Sequence, residues 1–409
     1  MNGAVAHIPR SGDPAAAHSL NGINLSPGST DDGWMPPYSV ILRDGSHVQL
    51  YKDGEALHAA FEAIRHARKR VGLEVYIFRS DPTGRAFAEL LAAKAKSGVP
   101  VYLIYDSFGC METDEGVFKL MSRAGVRMAE FHPMRPWDCR YSWRPANRDH
   151  RKLLVIDDHL AGLGGLNIGD EYAGSWVSRR KPVREPWRDN ALGIRGPLAS
   201  LFQVIFASAW RYAVSAGRLR RMEFIHNAYS GEVGVLATVP SRRSPAATLI
   251  HMLHDATTSV YITMSYFAPP DDLIEALCVA AGRGVRVRLM FPGRTDVKLL
   301  LVAQQSFYER LLSAGAEVYE RQGVILHAKT TCIDGRTVVL GSTNLDYRSI
   351  EYNCELAVVI RNSTLGSQMH DLFENDVRYS RRLALKEWRR RPVHDRVVQW
   401  AVMRARYLL

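Results

Sequence analysis

Apolar residues along this chain switch repeatedly between a two-residue period and a helical one, which predicts strands alternating with helices. Ser39 to Leu42 and His47 to Tyr51 are expected to form a hairpin through Asp44-Gly45, and Glu55 to Arg68 has helical spacing. Val71 to Phe78 reads as a buried strand, Gly84 to Ser97 as an amphipathic helix, and Val101 to Tyr105 as a strand. A helix over Val117 to Ala124 and a strand over Met128 to Phe131 follow. Asn190 to Arg195 and a helix from Pro197 to about Val214 close this unit. The rhythm implies sheets flanked by helices.

A second pass of the same rhythm begins after a polar connection around Arg218 to Glu232. LLAAKAKSGVPVYLIYD matches ALCVAAGRGVRVRLMFP with Gly98 over Gly284, and SRAGVRM matches LSAGAEV with Gly125 over Gly315. Glu74 to Phe78 finds its counterpart in Met264 to Phe267. Internal duplication accounts for all of these.

The most informative pair of repeats is polar. His327-Ala328-Lys329 leads into an apolar run, then Asp334, then Gly341-Ser342-Thr343-Asn344. His150-Arg151-Lys152, Asp157 and Gly164-Gly165-Leu166-Asn167 repeat it with every interval unchanged, seventeen residues from His to Asn in both copies. Residues two apart on a strand share a face, so each His and Lys point together while each Asp has the opposite parity. One His, one Lys and one Asn from each copy can therefore converge. A lone HxK is more often a surface strand, but chance does not duplicate the extended pattern.

HRKLLVID with GGLN, and HAKTTCID with GSTN, resemble the twin HxKxxxxD motifs of the phospholipase D superfamily. The resemblance runs through about residues 38 to 362, and the layout is most like the shorter bacterial cardiolipin synthases that lack an N-terminal membrane-spanning pair. It implies an α/β fold of two homologous domains, each a mixed sheet flanked by helices. A pseudo-twofold would relate them, with one active site at their interface. The corresponding division is a leader over 1–37, a first domain over 38–217, a linker over 218–232, a second domain over 233–379 and a basic tail over 380–409.

The chemistry such a site performs is phosphodiester transfer, which must overcome charge repulsion of the nucleophile and a poor alkoxide leaving group. One neutral imidazole attacks phosphorus to give a phosphohistidine, and the other donates a proton to the leaving alcohol. The resemblance implies His150 as nucleophile and His327 as acid/base, although the residues themselves leave the reverse open. Lys152, Lys329, Asn167 and Asn344 would hold the non-bridging oxygens, with no metal and no cofactor implied. In the family an acid after each motif supports the histidine of the opposite half, which would pair Glu355 with His150 and Asp189 with His327. Asp157 and Asp334 read as structural members of the motifs, and His159 as exposed.

The halves differ in their loops. Thirteen extra residues precede His150, and Arg135, Arg140, Arg144 and Arg148 alternate there with Trp137, Tyr141 and Trp143. That composition suits phosphate headgroups or a capped solvated loop. Arg135, Arg140, Arg144 and Trp143, with Tyr76 and Tyr266, are candidate substrate-binding residues.

The formal charge of +11 matters because of where it lies. Nine Arg and one Lys against Glu387 and Asp395 place most of it between Arg378 and Leu409, interleaved with Trp388, Trp400 and aliphatic residues. This suits attachment to an anionic membrane surface and weakens a nucleic-acid reading, which prefers a basic stripe along the active groove. Five cysteines without a CxxC pair fit a reducing compartment. Leu192 to Trp210, the most apolar stretch, is broken by Arg195, Pro197 and Gln203, so no membrane span is expected. Met1 to Pro37 reads as a disordered leader without a signal peptide. The expected location is peripheral, on the cytoplasmic face of the inner membrane. The leading expectation is a phosphatidyltransferase making cardiolipin on phospholipid substrates, against a lipid hydrolase, a nuclease or a non-catalytic binding module. The sequence leaves the oligomeric state open.

Overall fold

The computed structural model describes residues 34–135, 146–174, 186–215, 229–238 and 244–404, together with the backbone of two short paired strands, Ser19–Leu20 and Ile23–Asn24. Most of the leader and linker, and Arg140, Trp143, Arg144 and Cys139, lie outside these residues.

Each repeat builds one sheet. The first has eight strands in the spatial order Val40–Ile41, His47–Lys52, Asn190–Arg195, Leu160–Gly164, Leu153–Ile156, Val71–Val75, Val101–Asp106, Arg127–Phe131. The second has nine, of which eight copy that order: Tyr229–Ser230, Val233–Ala237, Leu356–Arg361, Thr337–Gly341, Lys329–Ile333, Ser259–Met264, Arg286–Pro292 and Glu317–Arg321. In both, the last three strands run parallel through helical crossovers, while the motif hairpin and its neighbours are antiparallel. The glycines aligned in sequence do the same backbone work. Gly98 and Gly284 both take φ of 89°, and Gly125 and Gly315 both take φ of 95°, ending a helix in a conformation that a side chain disfavours.

Strand and helix boundaries fall within a few residues of those the periodicity predicts. Val71–Val75 is shorter than expected, because the chain leaves the sheet at Tyr76 to enter the site. Asp81 caps the helix Pro82–Lys96 by accepting from the Gly84 N–H, with proline in the first turn.

The two sheets turn their inner faces toward one another. Leu163, Leu192, Phe202 and Phe206 of the first half share a core with Leu340, Leu356, Val358, Met369 and Phe373 of the second. The helices Ala199–Val214 and Ser363–Val377 contribute to this layer. Separate outer cores lie beneath the crossover helices of each half.

The two ends of the chain are more integrated than their composition suggests. Trp34, at the end of the expected leader, is buried in the shared core. The expected tail begins as an edge strand, Ser380–Arg382, antiparallel to Glu317–Arg321. Its helix Val393–Arg404 then packs on Lys298–Ser306. The Trp388 ring lies 5.0 Å from that of Tyr308 in a tilted contact, and Arg389 and Arg391 pair with Glu309. Composition alone hid these contacts, because their partners lie about 80 residues away in the sequence.

Candidate active site

Each motif strand is delivered to the site by a crossing between the halves. The His150 N–H donates to the Cys354 carbonyl at 2.9 Å, and the Cys354 N–H donates to the Arg148 carbonyl at 2.8 Å. On the other side His327 N–H donates to the Arg188 carbonyl at 2.7 Å, within a short parallel pairing of Trp187–Arg188 with Ile325–Leu326. The residue after Cys354 is Glu355 and the residue after Arg188 is Asp189, so each crossing sets a carboxylate beside the histidine of the opposite half.

The side-chain geometry follows. His150 Nδ1 lies 3.0 and 3.1 Å from the two Glu355 oxygens, and His327 Nδ1 lies 2.7 Å from Asp189 Oδ2. All four groups are buried. With Nδ1–H donated to a carboxylate, Nε2 of each ring keeps its lone pair. The support differs in detail: Ser342 Oγ donates to Glu355, whereas its counterpart Gly165 leaves room for the shorter Asp189, whose Oδ1 sits 2.3 Å from where a Cβ would be. Glycine here is a spatial requirement.

Lys152 and Lys329 each donate to the carbonyl of the histidine two residues before, Lys152 at 2.6 Å. Burial pulls Lys152 down to about 7 and Lys329 down to about 8, opposed by Glu355 and Asp189. Burial also lowers His150, against the pull of Glu355, and holds His327 well below the usual imidazole range together with both lysine cations. Asp189 is pushed up to about 6 by burial. Burial acts on Glu355 too, but His150, Lys152 and Ser342 outweigh it and keep this carboxyl below its usual range. These fields couple both histidines and both lysines, so the two motifs form one centre. Two cations among two carboxylates and two neutral imidazoles suit an incoming anion.

The asparagines sit behind this centre. Asn167 Oδ1 accepts from the Ile77 N–H and its amide donates to the Tyr172 hydroxyl, while Asn344 Oδ1 accepts from Ser265. These bonds fix the amides and leave Asn344 the freer donor. Tyr76 lies 5.0 Å from the His150 ring and 5.3 Å from the Lys152 ammonium. Tyr266 lies 6.2 Å from His327 and donates to Asp296. Trp187 and Tyr172, neither singled out by sequence, approach His327 at 5.0 and 5.6 Å.

Asp157 and Asp334 are not in the centre. Both occupy tight hairpin turns at positive φ, 49° and 52°, which aspartate tolerates better than most residues. Asp157 accepts from the N–H groups of Arg68, Lys69 and Arg70, and Asp334 from those of Thr257, Thr258 and Ser259. They tie the motif hairpin to the loop entering the neighbouring strand. Arg148 departs from the headgroup role its loop suggested: it is fully buried, donating to the His132 carbonyl near Asp106. Arg135 and His159 are exposed.

Two buried arginines escaped sequence reasoning. Arg151 forks onto Asp149 and Glu74, and Arg188 onto Asp376 while also reaching Asn190 and the Asp189 carbonyl. Each braces a crossing strand next to a site residue. The one signal was adjacency to His150 and Asp189, since their acidic partners are distant in sequence. Among the described residues no group of His, Cys, Asp and Glu is arranged to hold a metal ion.

Two duplicated sheets, joined at one centre that pairs histidine, lysine and carboxylate from each half, define a two-domain phospholipase D-type fold. A family model described as cardiolipin synthase, PLD-like domain, matches residues 60–175 and 249–377, and the chain belongs to that family. A cardiolipin synthase of Geobacillus thermodenitrificans (strain NG80-2) is 32% identical over 363 residues, 87% of this chain and 70% of the relative. Cardiolipin synthase 1 of Bacillus anthracis is 32% identical over 371 residues, 87% of this chain and 71% of the relative. Among solved structures, phosphatidylserine synthase of Haemophilus influenzae Rd KW20 superposes with a TM-score of 0.70 at 14% identity, covering 91% of this chain and 97% of that one. That likeness supports the fold alone.

Proposed function

We propose that the protein is a phosphatidyltransferase that makes cardiolipin, moving a phosphatidyl group from phosphatidylglycerol or another phospholipid donor onto phosphatidylglycerol. The observation that carries this reading is the crossed pair of histidine–carboxylate contacts around two lysines, in a chain of the cardiolipin synthase family. His150 Nε2 attacks phosphorus, and the bond to the donor's alcohol breaks as protonated His327 gives that oxygen its proton. The phosphatidyl-histidine is then attacked by the hydroxyl oxygen of phosphatidylglycerol, whose proton passes to His327 as the P–N bond breaks. Lys152 and Lys329 neutralise the non-bridging oxygens. The bound phosphate's own charge offsets the lysines that depress His327, so substrate favours the protonated acid it needs. Incubation with labelled phosphatidylglycerol, phosphatidylethanolamine and single-stranded DNA, with products resolved, tests the reading. Cleaved DNA, or phosphatidic acid without cardiolipin, would favour the nuclease or hydrolase alternative.

The reading carries a pH signature. In the free protein the lysine cations are lost as pH rises through about 7 and 8, so kcat/KM should fall across that window, mainly through KM. Bound phosphate raises both lysines, so kcat should hold to higher pH. A kcat/KM profile that stays level to pH 9 would show that the lysines do not titrate there.

Peripheral attachment at the cytoplasmic face of the inner membrane is proposed through the C-terminal helix. Val393, Val397 and Trp400 stand exposed at helical spacing, 72%, 58% and 59%, beside Val398 and the exposed Arg396 and Arg404. Val402 and Gln399 occupy the buried face. Among the described residues no helix is long and apolar enough to cross a membrane. Replacing Val397 and Trp400 together with serine should lower partitioning onto anionic vesicles by about tenfold or more, with the melting temperature unchanged. Equal vesicle binding by this variant would remove the helix from the membrane surface. Deleting residues 388–409, by contrast, should lower the melting temperature, because Trp388 and Val402 are packed against the body.

A further inference from the structure

We propose that a slot in the first half, running from Lys152 across the outer face of the sheet, holds an acyl chain of the phospholipid substrate. The slot is a cavity of about 100 Å³ between the helix Gly54–His66 and the sheet, with an almost wholly apolar lining. One end is formed by Lys152 with Gly164 and Ala191, which are paired across neighbouring strands. The other end is the Leu160–Arg195 pair, ~13 Å away at the rise of an extended strand. A chain entering beside Lys152 would thus leave its phosphate where the lysine and His150 already meet.

The slot exists because side chains are missing from both walls. Gly162 and Gly193, directly paired on interior strands, are only half-buried, and the facing helix presents Ala56, Ala60 and Ala63. The duplicated half supplies an internal comparison. The residues equivalent to Gly162 and Gly193 are Val339 and Val359, paired in the same register, and the corresponding cavity, which also ends at the motif lysine Lys329, measures about 40 Å³. Sheet geometry is therefore compatible with valine at Gly162, where the first half has kept the space open. Interior glycines weaken a strand, so such an opening has a cost in stability. Tyr51, buried on the slot's wall, lays its ring against the Gly193 position, so the open space lies along Gly162 and the helix alanines.

This rests on the phosphatidyl-transfer reading, and the experiment separates the two. Wild-type protein is assayed with monomeric phosphatidylglycerols of increasing chain length, from dibutanoyl to dioctanoyl. If the slot takes a chain, kcat/KM should rise about fourfold for each methylene it receives, the factor corresponding to ~0.8 kcal/mol. Gly162→Val, whose new Cβ would meet nothing closer than 3.8 Å, and Ala60→Leu from the opposite wall fill the space. Each should reduce the ratio of long-chain to short-chain kcat/KM about tenfold or more. A chain-length profile that is flat in the wild type overturns the proposal, as does an unchanged ratio in both variants, or Gly162→Val merely raising the melting temperature. Absence of phosphatidyl transfer by the wild type from every lipid would instead overturn the functional reading itself.

Discussion

Alanine in place of His150 or His327 is expected to reduce turnover by roughly 10⁴- to 10⁶-fold, because each ring makes or breaks a bond that no neighbour can replace. The two variants should fail differently. Without His150 no phosphoryl-enzyme can form with any leaving group. Without His327, a substrate carrying p-nitrophenol needs no proton donor, so its release should survive as a burst of about one equivalent. The phosphohistidine then persists, since no base activates the acceptor. Rapid quench with labelled substrate, followed by alkaline isolation of the acid-labile phosphoryl-protein, reads this directly. A burst from His150→Ala and none from His327→Ala would exchange the two roles. Near-normal turnover by either variant would discard the two-histidine mechanism.

The second large effect should come from the carboxylates. Glu355→Gln keeps a similar shape beside His150 but can turn an N–H₂ toward Nδ1, which moves the ring proton to Nε2 and occupies the attacking lone pair. The expected loss is about 10² to 10⁴ in kcat with little change in KM. Asp189→Asn should do the same to His327 at 2.7 Å, and should spare the p-nitrophenyl burst just as His327→Ala does. Melting temperatures must be compared, because Glu355 is also bonded by Ser342. If Glu355→Gln raised KM and left kcat intact, Glu355 would belong to substrate binding and not to the orientation of His150.

Much of this centre could be read before any fold was known. The parity of His, Lys and Asp along a strand separates the site residues from Asp157 and Asp334, which the structure places in hairpin turns. Equal spacing in two copies predicts two matching sheets, and the aligned glycines show equal φ values. The pairing of each acid with the opposite histidine came from family resemblance, since spacing along one strand says nothing about which strand crosses from the other half. Arg151 and Arg188 were illegible for the same reason: Arg188 is braced by Asp376, 188 residues away. The C-terminal segment misled in a different way. Its arginines suggest a free basic arm, yet Arg389 and Arg391 meet Glu309, and charge counted along a sequence does not reveal its counter-charge in space. The slot was equally hidden. Gly162 and Gly193 become informative only when the strand register sets them against Val339 and Val359.

The shared inner core has a consequence for how the chain is made. Once residue 215 is complete, the first sheet can pair all of its strands, but Leu163, Phe202 and Phe206 still face the place where the second sheet will lie. The chain beyond that point is almost as long again, and at 5–20 residues per second its synthesis takes roughly ten to forty seconds. For that interval a nascent half-protein presents a broad apolar surface at the ribosome. It is then a natural client for holding chaperones and is open to pairing with the first half of another nascent chain. In such a pair the pseudo-twofold would set each His150 beside the other copy's Asp189, the equivalent of Glu355, so mispairing during synthesis would occupy the inner face that each chain's own second half needs.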